Sequence, residues 1–270
     1  MAEPSWTNAT SLLQVGQFYG ATQERWQTPL VTLTVLRHAV PRVVPYHAHQ
    51  HSYFTLLLEG GYRERIGDRE LVYEPLTLVF HPEGFAHLDE ITVPDSRFFA
   101  VEISPALLGP RERDELGAVH DLRGGPAVWA MLRLLETVRA PHDHLACEEP
   151  ITEILDGLLA PVPAEAPAWL AKIEAYLRDH ASEVFSLRAL ADVAGVHPVH
   201  VARVFRAHHG CTMSTFVQRL RVVHATRLIV AGAALADAAL EAGFYDQSHM
   251  TRVFKAITGM PPIRARDALK

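Results

Sequence analysis

The chain has 270 residues, 49% of them apolar, with 25 Lys and Arg against 31 Asp and Glu, a formal net charge of −6. This is enough apolar material for a buried core, and enough length for one large or two medium domains. An acidic total argues against binding to phosphate backbones, yet it averages two unlike parts. Residues 1–160 carry no Lys and a net of −10, whereas residues 161–270 carry a net of +4. That asymmetry marks a separate, mildly basic module suited to nucleic acid. Two cysteines, Cys147 and Cys211, exclude a disulfide scaffold or a zinc ribbon and fit a reducing compartment. No signal peptide and no membrane-spanning run is visible, so a cytoplasmic protein is expected.

From about residue 28 to 104 the pattern predicts short strands. Residues 30–36, 53–58, 70–73, 77–80 and 98–103 are rich in β-branched and aromatic side chains, and Gly60-Gly61, Pro82-Glu-Gly84 and Pro94-Asp95 punctuate them. Such spacing predicts a small barrel or sandwich. Beyond Arg111 the period becomes helical. Val128, Leu132, Leu135 and Val138 share one face, and a second helix from Pro150 to Leu159 is expected to bury Ile151, Ile154, Leu155 and Leu158. Residues 160–167 hold three prolines without periodicity and read as a semi-rigid linker.

The remainder reads as helical and contains an internal repeat. Arg203-Val-Phe-Arg-Ala-His-His-Gly210 matches Arg252-Val-Phe-Lys-Ala-Ile-Thr-Gly259 at an offset of 49, and 191–196 matches 239–244 at an offset of 48. Each copy is helix, glycine turn, helix, the helix-turn-helix pattern, at about 187–208 and 235–258. A long helix, about 212–231, joins the copies, with Phe216, Leu220, Val223 and Leu228 expected on its apolar face. In the first copy Val201, Val204 and Phe205 are spaced to face inward, leaving Val199, Ala202, Arg203 and Arg206 outside. In the second, Met250, Val253, Phe254 and Ile257 face inward, leaving Gln247, Ser248, Thr251, Arg252 and Lys255 outside. Arg suits guanine, Gln suits adenine, and Ser or Thr serves bases or phosphates in a major groove. Two such helices would suit successive grooves roughly 34 Å apart.

At these residues the chain resembles the AraC/XylS family of transcription regulators, over about 169–270. The stretch from Ala239 to Pro262 is the most specific part, and Phe216, Arg221, Ala225 and Leu228 match the connecting helix. Met250 and Pro261 are departures from the usual pattern. The resemblance implies that Val199, Ala202 and Arg203 in the first copy, and Gln247, Ser248, Thr251 and Arg252 in the second, face promoter DNA.

Sixteen histidines remain to be placed. His47 and His49, two apart in an extended chain, share a face. With His87 from another strand they would form a facial imidazole set suited to a divalent transition metal such as Zn, Fe, Ni or Cu. His51 and His81 are alternative ligands, although His81 reads rather as a structural turn residue. The competing reading is that these histidines line the barrel and bond backbone groups. The pattern His-x-His, Gly60, then Pro82-x-Gly84-x-x-His87 resembles the cupin barrel and the effector-binding domains of AraC-type regulators. Tyr53 stands where metal-binding cupins place a carboxylate. His180, His208 and His209 sit near helix C-termini, where imidazole suits the helix dipole. No phosphate loop, nucleophile elbow or Cys–His pair is present.

The expected protein is therefore α+β with two domains. Residues 1–160 form a cupin-like β-barrel with accessory helices, binding a small-molecule effector near His47, His49, Tyr53 and His87 and mediating dimerisation. Residues 161–167 are a linker, and residues 168–270 an all-α double helix-turn-helix. The expected partners are promoter DNA, a homodimer mate, and RNA polymerase if the protein activates. No membrane association is expected. The chain is expected not to be an enzyme; the alternative is a metal-dependent cupin enzyme with a helical appendage.

Overall fold

The computed structural model describes residues 11–67, 69–108, 116, 120–123, 125–140, 148–159 and 167–270. The expected linker at 161–166 and Cys147 lie outside the described residues. The chain divides into two compact units, 1–123 with 134–159, and 124–133 with 160–270. The architecture is α+β, with strands in the first unit and helices in the second.

The first unit contains eleven described strands: β1 (Ser11–Leu13), β2 (Ala21–Gln27), β3 (Val31–His38), β4 (Arg42–His49), β5 (Tyr53–Glu59), β6 (Tyr62–Ile66), β7 (Arg69–Tyr73), β8 (Thr77–His81), β9 (His87–Ile91), β10 (Ser96–Ile103) and β11 (His120–Arg123). They form two sheets, one in the order β1-β4-β9-β6-β7 and the other β11-β8-β5-β10-β3-β2. Strands β3, β5, β8 and β10 are buried on both faces, which is why they read as continuous apolar runs in the sequence. A core cluster including Leu36, Val44, Leu57, Tyr62, Tyr73, Val79, Ile91, Phe98 and Ala100 draws residues from both sheets.

Two of the strands absent from the sequence expectation show why they were hidden. β6 alternates buried Tyr62 and Glu64 with exposed Arg63 and Arg65. β4 carries a register shift: Val44 pairs with Asp89, but His47 pairs with His87. The extra residue is a bulge, and it turns His47 and His49 to the buried side that Val44 occupies.

Helix α1 (Pro126–Arg139) buries Val128, Leu132, Leu135 and Val138 as its period predicts. The sequence expectation put this whole helix with residues 1–160; the compact units divide it after Arg133. Arg133 Nη1 donates to the Thr258 carbonyl at 2.8 Å, and the Trp129 and Phe254 rings lie 6.0 Å apart. In the other direction Arg139 makes a two-pronged bond to Glu24, with Nε 3.1 Å from Oε2. Helix α2 (Glu148–Leu159) buries Ile151 and Ile154 but leaves Leu155 half-buried; the Leu158 side chain lies outside the described residues.

The second unit continues with α3 (Ala168–Asp179), α4 (Leu187–Ala194), α5 (Pro198–His209), α6 (Met213–Val230), α7 (Leu235–Glu241), α8 (Gln247–Thr258) and α9 (Pro262–Leu269). Side-chain caps start several of them. Ser186 Oγ accepts from the Ala189 N–H at 3.1 Å, Thr212 Oγ1 from Thr215 at 3.2 Å, and Asp246 Oδ1 from His249 at 2.6 Å. Leu170, Ile173, Leu177, Leu190, Val201, Phe205, Met213 and Val217 form one core. The second half of α6 contributes Val222, Ala225 and Ile229 to the buried residues, alongside Ala238, Phe244, Met250 and Phe254.

The face expected for α6 is wrong in detail. Phe216, Leu220, Val223 and Leu228 are half-buried, while Met213, Val217, Val222, Ala225, Thr226 and Ile229 are buried. The helix packs against α3 and α5 and also against α7, α8 and α9. It serves two cores on different sides, so no single stripe describes it. Arg221 anchors its middle, with Nε donating to Ala181 O at 2.7 Å and Nη2 to Glu183 O at 2.8 Å.

Candidate nucleic-acid interface and ligand cavity

In the second unit, α4–α5 and α7–α8 are the two helix-turn-helix copies. Their turns share one hydrogen-bond pattern. The Val196 N–H donates to Ala191 O at 3.2 Å, and the Phe244 N–H to Ala239 O at 2.9 Å. Each glycine in these turns is left-handed, Gly195 at φ 68° and Gly243 at φ 87°, which is the helix-ending geometry glycine permits. A side chain at Gly243 would also strike the backbone of Ser182, 2.5 Å from its carbonyl oxygen.

The second helix of each copy presents the outer residues as follows. On α5, Val199, Arg203 and Arg206 are exposed, and Ala202 is half-buried against the first core. Arg203 Nη2 donates to His200 Nδ1 at 3.3 Å, and the His200 ring in turn lies 5.9 Å from Trp169. On α8, Gln247, Ser248, Arg252 and Lys255 are exposed. Thr251 is half-buried and donates its hydroxyl to Gln247 O at 2.8 Å. The inward residues Val201, Phe205, Met250 and Phe254 are buried, whereas Val204, Val253 and Ile257 are half-buried. Tyr245, in the second turn, is 85% exposed and was not singled out from sequence.

In the first unit, a cavity of about 460 Å³, its mouth included, is lined by Phe18, Tyr19, His38, His47, His49, Tyr53, Tyr62, His81 and Asp89 among others. His47, His49 and His87 offer ring nitrogens within 4.8 Å of one another, all buried. The Nδ1 of His47 lies 2.8 Å from Pro45 O, and that of His87 lies 3.2 Å from Phe85 O. Those contacts orient each ring so that its Nε2 turns to the cluster, where both approach Asp89 Oδ2, at 4.0 and 3.8 Å. His87 Nε2 also meets the Tyr53 hydroxyl at 3.1 Å, so Tyr53 belongs to the cluster although it is not a carboxylate. His49 Nδ1 has no hydrogen-bond partner.

His81 differs from its expected place in a structural turn. It ends β8, is buried, and its Nε2 bonds Glu64 Oε1 at 2.7 Å, while the Tyr73 hydroxyl donates to Glu64 Oε2 at 3.0 Å. Pairing across from Tyr53 on β5 aims it inward, and the two rings stack at 4.6 Å. Glu64 and Asp89 were not foreseen. The signal for Glu64 was its period: it shares a strand face with Tyr62 and Ile66.

Burial sets the protonation of this interior. It lowers His49 to about 2 and His87 to about 4, helped by neighbouring imidazoles, and it lowers His47. These rings are neutral at pH 7, with lone pairs available. Burial alone would raise Glu64, but the charge and hydrogen bond of His81 outweigh it and hold Glu64 below the usual carboxylate range. Asp89 is raised by burial and by the charge of Glu64. Beside the cavity residues, Glu102 Oε2 accepts from the Gly16 N–H at 2.7 Å, and burial pushes its carboxyl up to about 7.

Residues 190–268 match the model of a helix-turn-helix domain family. The chain is similar to the HTH-type transcriptional regulator YbfI of Bacillus subtilis, 24% identical over 223 residues, 75% of this chain and 80% of that one. It is similar to YobQ of the same organism, 24% identical over 234 residues, 83% of this chain and 90% of that one. Among solved structures, ToxT from Vibrio cholerae aligns over 89% of this chain and 99% of its own, at 10% identity and a TM-score of 0.39. With the two copies seen above, the chain is a DNA-binding transcription regulator. Its helix-turn-helix domain is of the AraC type. Among the described residues, no helix is long and apolar enough to cross a membrane.

Proposed function

We propose that this regulator reads promoter DNA with α5 and α8 and responds to a small molecule bound in the cavity of its first unit. The observation that carries the reading is a histidine-lined cavity, in a molecule whose other unit is built for DNA. Val199, Ala202, Arg203 and Arg206 would contact one groove, and Gln247, Ser248, Thr251, Arg252 and Lys255 another. Val199 suits a thymine methyl, and the arginines suit guanine edges or phosphates. Residues 1–160 act as sensor and dimerisation module, joined through 161–167 to the DNA reader, with RNA polymerase as a further partner where transcription is activated.

The cavity residues also fit a divalent transition metal, since neutral buried imidazoles with a partnerless His49 Nδ1 are a suitable donor set. His47, His49 and His87 would hold it, and the bound ion would offer an open position to an oxygen or nitrogen atom of the effector. Tyr53 and the Glu64–His81 pair would then orient that ligand from the wall. The same cluster favours a second reading, a metal-dependent enzyme. It requires turnover, whereas its curated relatives are regulators.

The test is genomic footprinting of the full chain with and without a panel of small organic effectors, repeated with His49→Ala, which lines the cavity. The expected result is sequence-selective sites whose occupancy changes with one effector, and loss of that response in the variant. Absence of selective sites overturns the DNA reading, and a response unchanged in the variant overturns the cavity reading.

A further inference from the structure

We infer that Glu174 of α3 with His208 and His209 of α5 forms a divalent-cation site in the DNA-binding unit, independent of the cavity. The ligand class is a borderline transition cation such as Zn²⁺, Ni²⁺ or Co²⁺, since two imidazoles and one carboxylate suit those ions.

Three observations carry it. A Glu174 oxygen and ring nitrogens of His208 and His209 all lie within 4.8 Å of one another. His209 Nε2 stands 3.1 Å from Glu174 Oε1, its partner in the structure. Roughly 3.0–3.5 Å is the separation of two donor atoms around an ion with metal–ligand bonds near 2.0–2.1 Å. The two therefore already stand at the separation that fellow ligands would take. Finally, the His209 ring is fixed by Phe205 at 4.2 Å and Phe216 at 4.9 Å, both members of or packed on the first core.

The site sits where α5 ends. His208 and His209 are its last two residues, and Gly210 closes it in the left-handed conformation. The exposed carbonyls of a helix C-terminus favour a cation. Arg178 Nη2 lies 3.4 Å from Glu174 Oε2 and would swing aside as the ion binds. The bound ion would pin the end of α5 to α3. The first recognition helix would then be stiffened at the end opposite Val199, without any ligand touching DNA.

The test is equilibrium dialysis of the full chain against Zn²⁺, with Co²⁺ absorption to report the ligand set. His47→Ala/His49→Ala/His87→Ala breaks both donor sets of the cavity, His47–His49–His87 and Glu64–His81–His87, and is expected to retain one Zn²⁺ per chain. Adding Glu174→Gln or His209→Ala should weaken that ion by tenfold or more and abolish the tetrahedral Co²⁺ band. If the cavity variant does not fold, the Zn²⁺ count of the wild-type chain is compared with that of His208→Asn. A drop of one supports the site, and an equal count overturns it. A folded cavity variant that binds no Zn²⁺, or one whose ion ignores Glu174→Gln and His209→Ala, also overturns it. None of these outcomes depends on the effector reading, which is tested at the DNA.

Discussion

The two helix-turn-helix copies share a frame and differ in nearly everything placed on it. Val201 and Phe205 are buried in the first copy where Met250 and Phe254 are buried in the second, and both turns close with the same backbone bond. The outer faces diverge. The first sets Val199 and Ala202 beside its arginines, whereas the second sets Gln247, Ser248 and Thr251 beside Arg252 and Lys255. Packing tolerates little change in volume, so the inner positions keep their pattern while the outer ones are free to acquire different base preferences. The turn of the second copy is the tighter one, with Gly243 against Ser182 where Gly195 has open space.

The largest test of that difference is in the cores. Phe205→Ala and Phe254→Ala each remove a fully buried ring and are expected to cost about 3–5 kcal/mol in denaturant unfolding. The two should cost alike, because each ring has an aromatic neighbour, Phe216 at 5.3 Å from Phe205 and Trp129 at 6.0 Å from Phe254. A gap of more than about 2 kcal/mol would show that the two cores are not equivalent.

The glycine turns come next. Gly195→Ala meets no atom within 4 Å, so it should cost only the left-handed backbone penalty, about 1–2 kcal/mol. Gly243→Ala carries the same penalty and a clash with Ser182, so its midpoint in thermal unfolding should fall further. A reversed order would remove the claim that the second turn is the tighter one.

At the DNA face, Arg252→Ala is expected to weaken specific binding by about 1–3 kcal/mol and relax sequence preference in a mobility-shift series. Arg203→Ala, on a face where Val199 and Ala202 offer no hydrogen bonds to base edges, should lower affinity with less change in preference. Unchanged affinity in both variants removes the assignment of these helices to DNA. The smallest contrast is at the caps. Asp246→Ala should cost about 1 kcal/mol, whereas His197→Ala should cost less, since its ring nitrogen accepts from Val199 at 3.3 Å against 2.6 Å for Asp246.

How much was legible follows from which pattern each element obeys. Strands β3, β5, β8 and β10 announced themselves because both faces are buried. Strands β6 and β9 hid behind Arg63, Arg65 and Glu90, whose charges read as loop. The repeat exposed both helix-turn-helix copies, since the inward residues recur at nearly constant offset. The face of α6 was not legible because one helix answers to two cores. His47 and His49 could be paired by their spacing, but their meeting with His87 depends on the bulge after Val44, which no period reveals. Glu64 and Asp89 escaped for a related reason: their chemistry arises from neighbours distant in sequence, such as His81 for Glu64.

The wall that Phe18 and Tyr19 contribute to the cavity has a thermodynamic consequence. Both come from the stretch between β1 and β2, where, among the described residues, β1 pairs with β4 at Ser11, Leu12 and Leu13 and Gly16 is tied to Glu102. An occupant resting on those rings can bind only to chains in which this stretch is seated. Its apparent dissociation constant is therefore the intrinsic one divided by the seated fraction. Anything that loosens residues 11–20 weakens the occupant without touching it, and by reciprocity the occupant protects the backbone amides of that stretch from exchange.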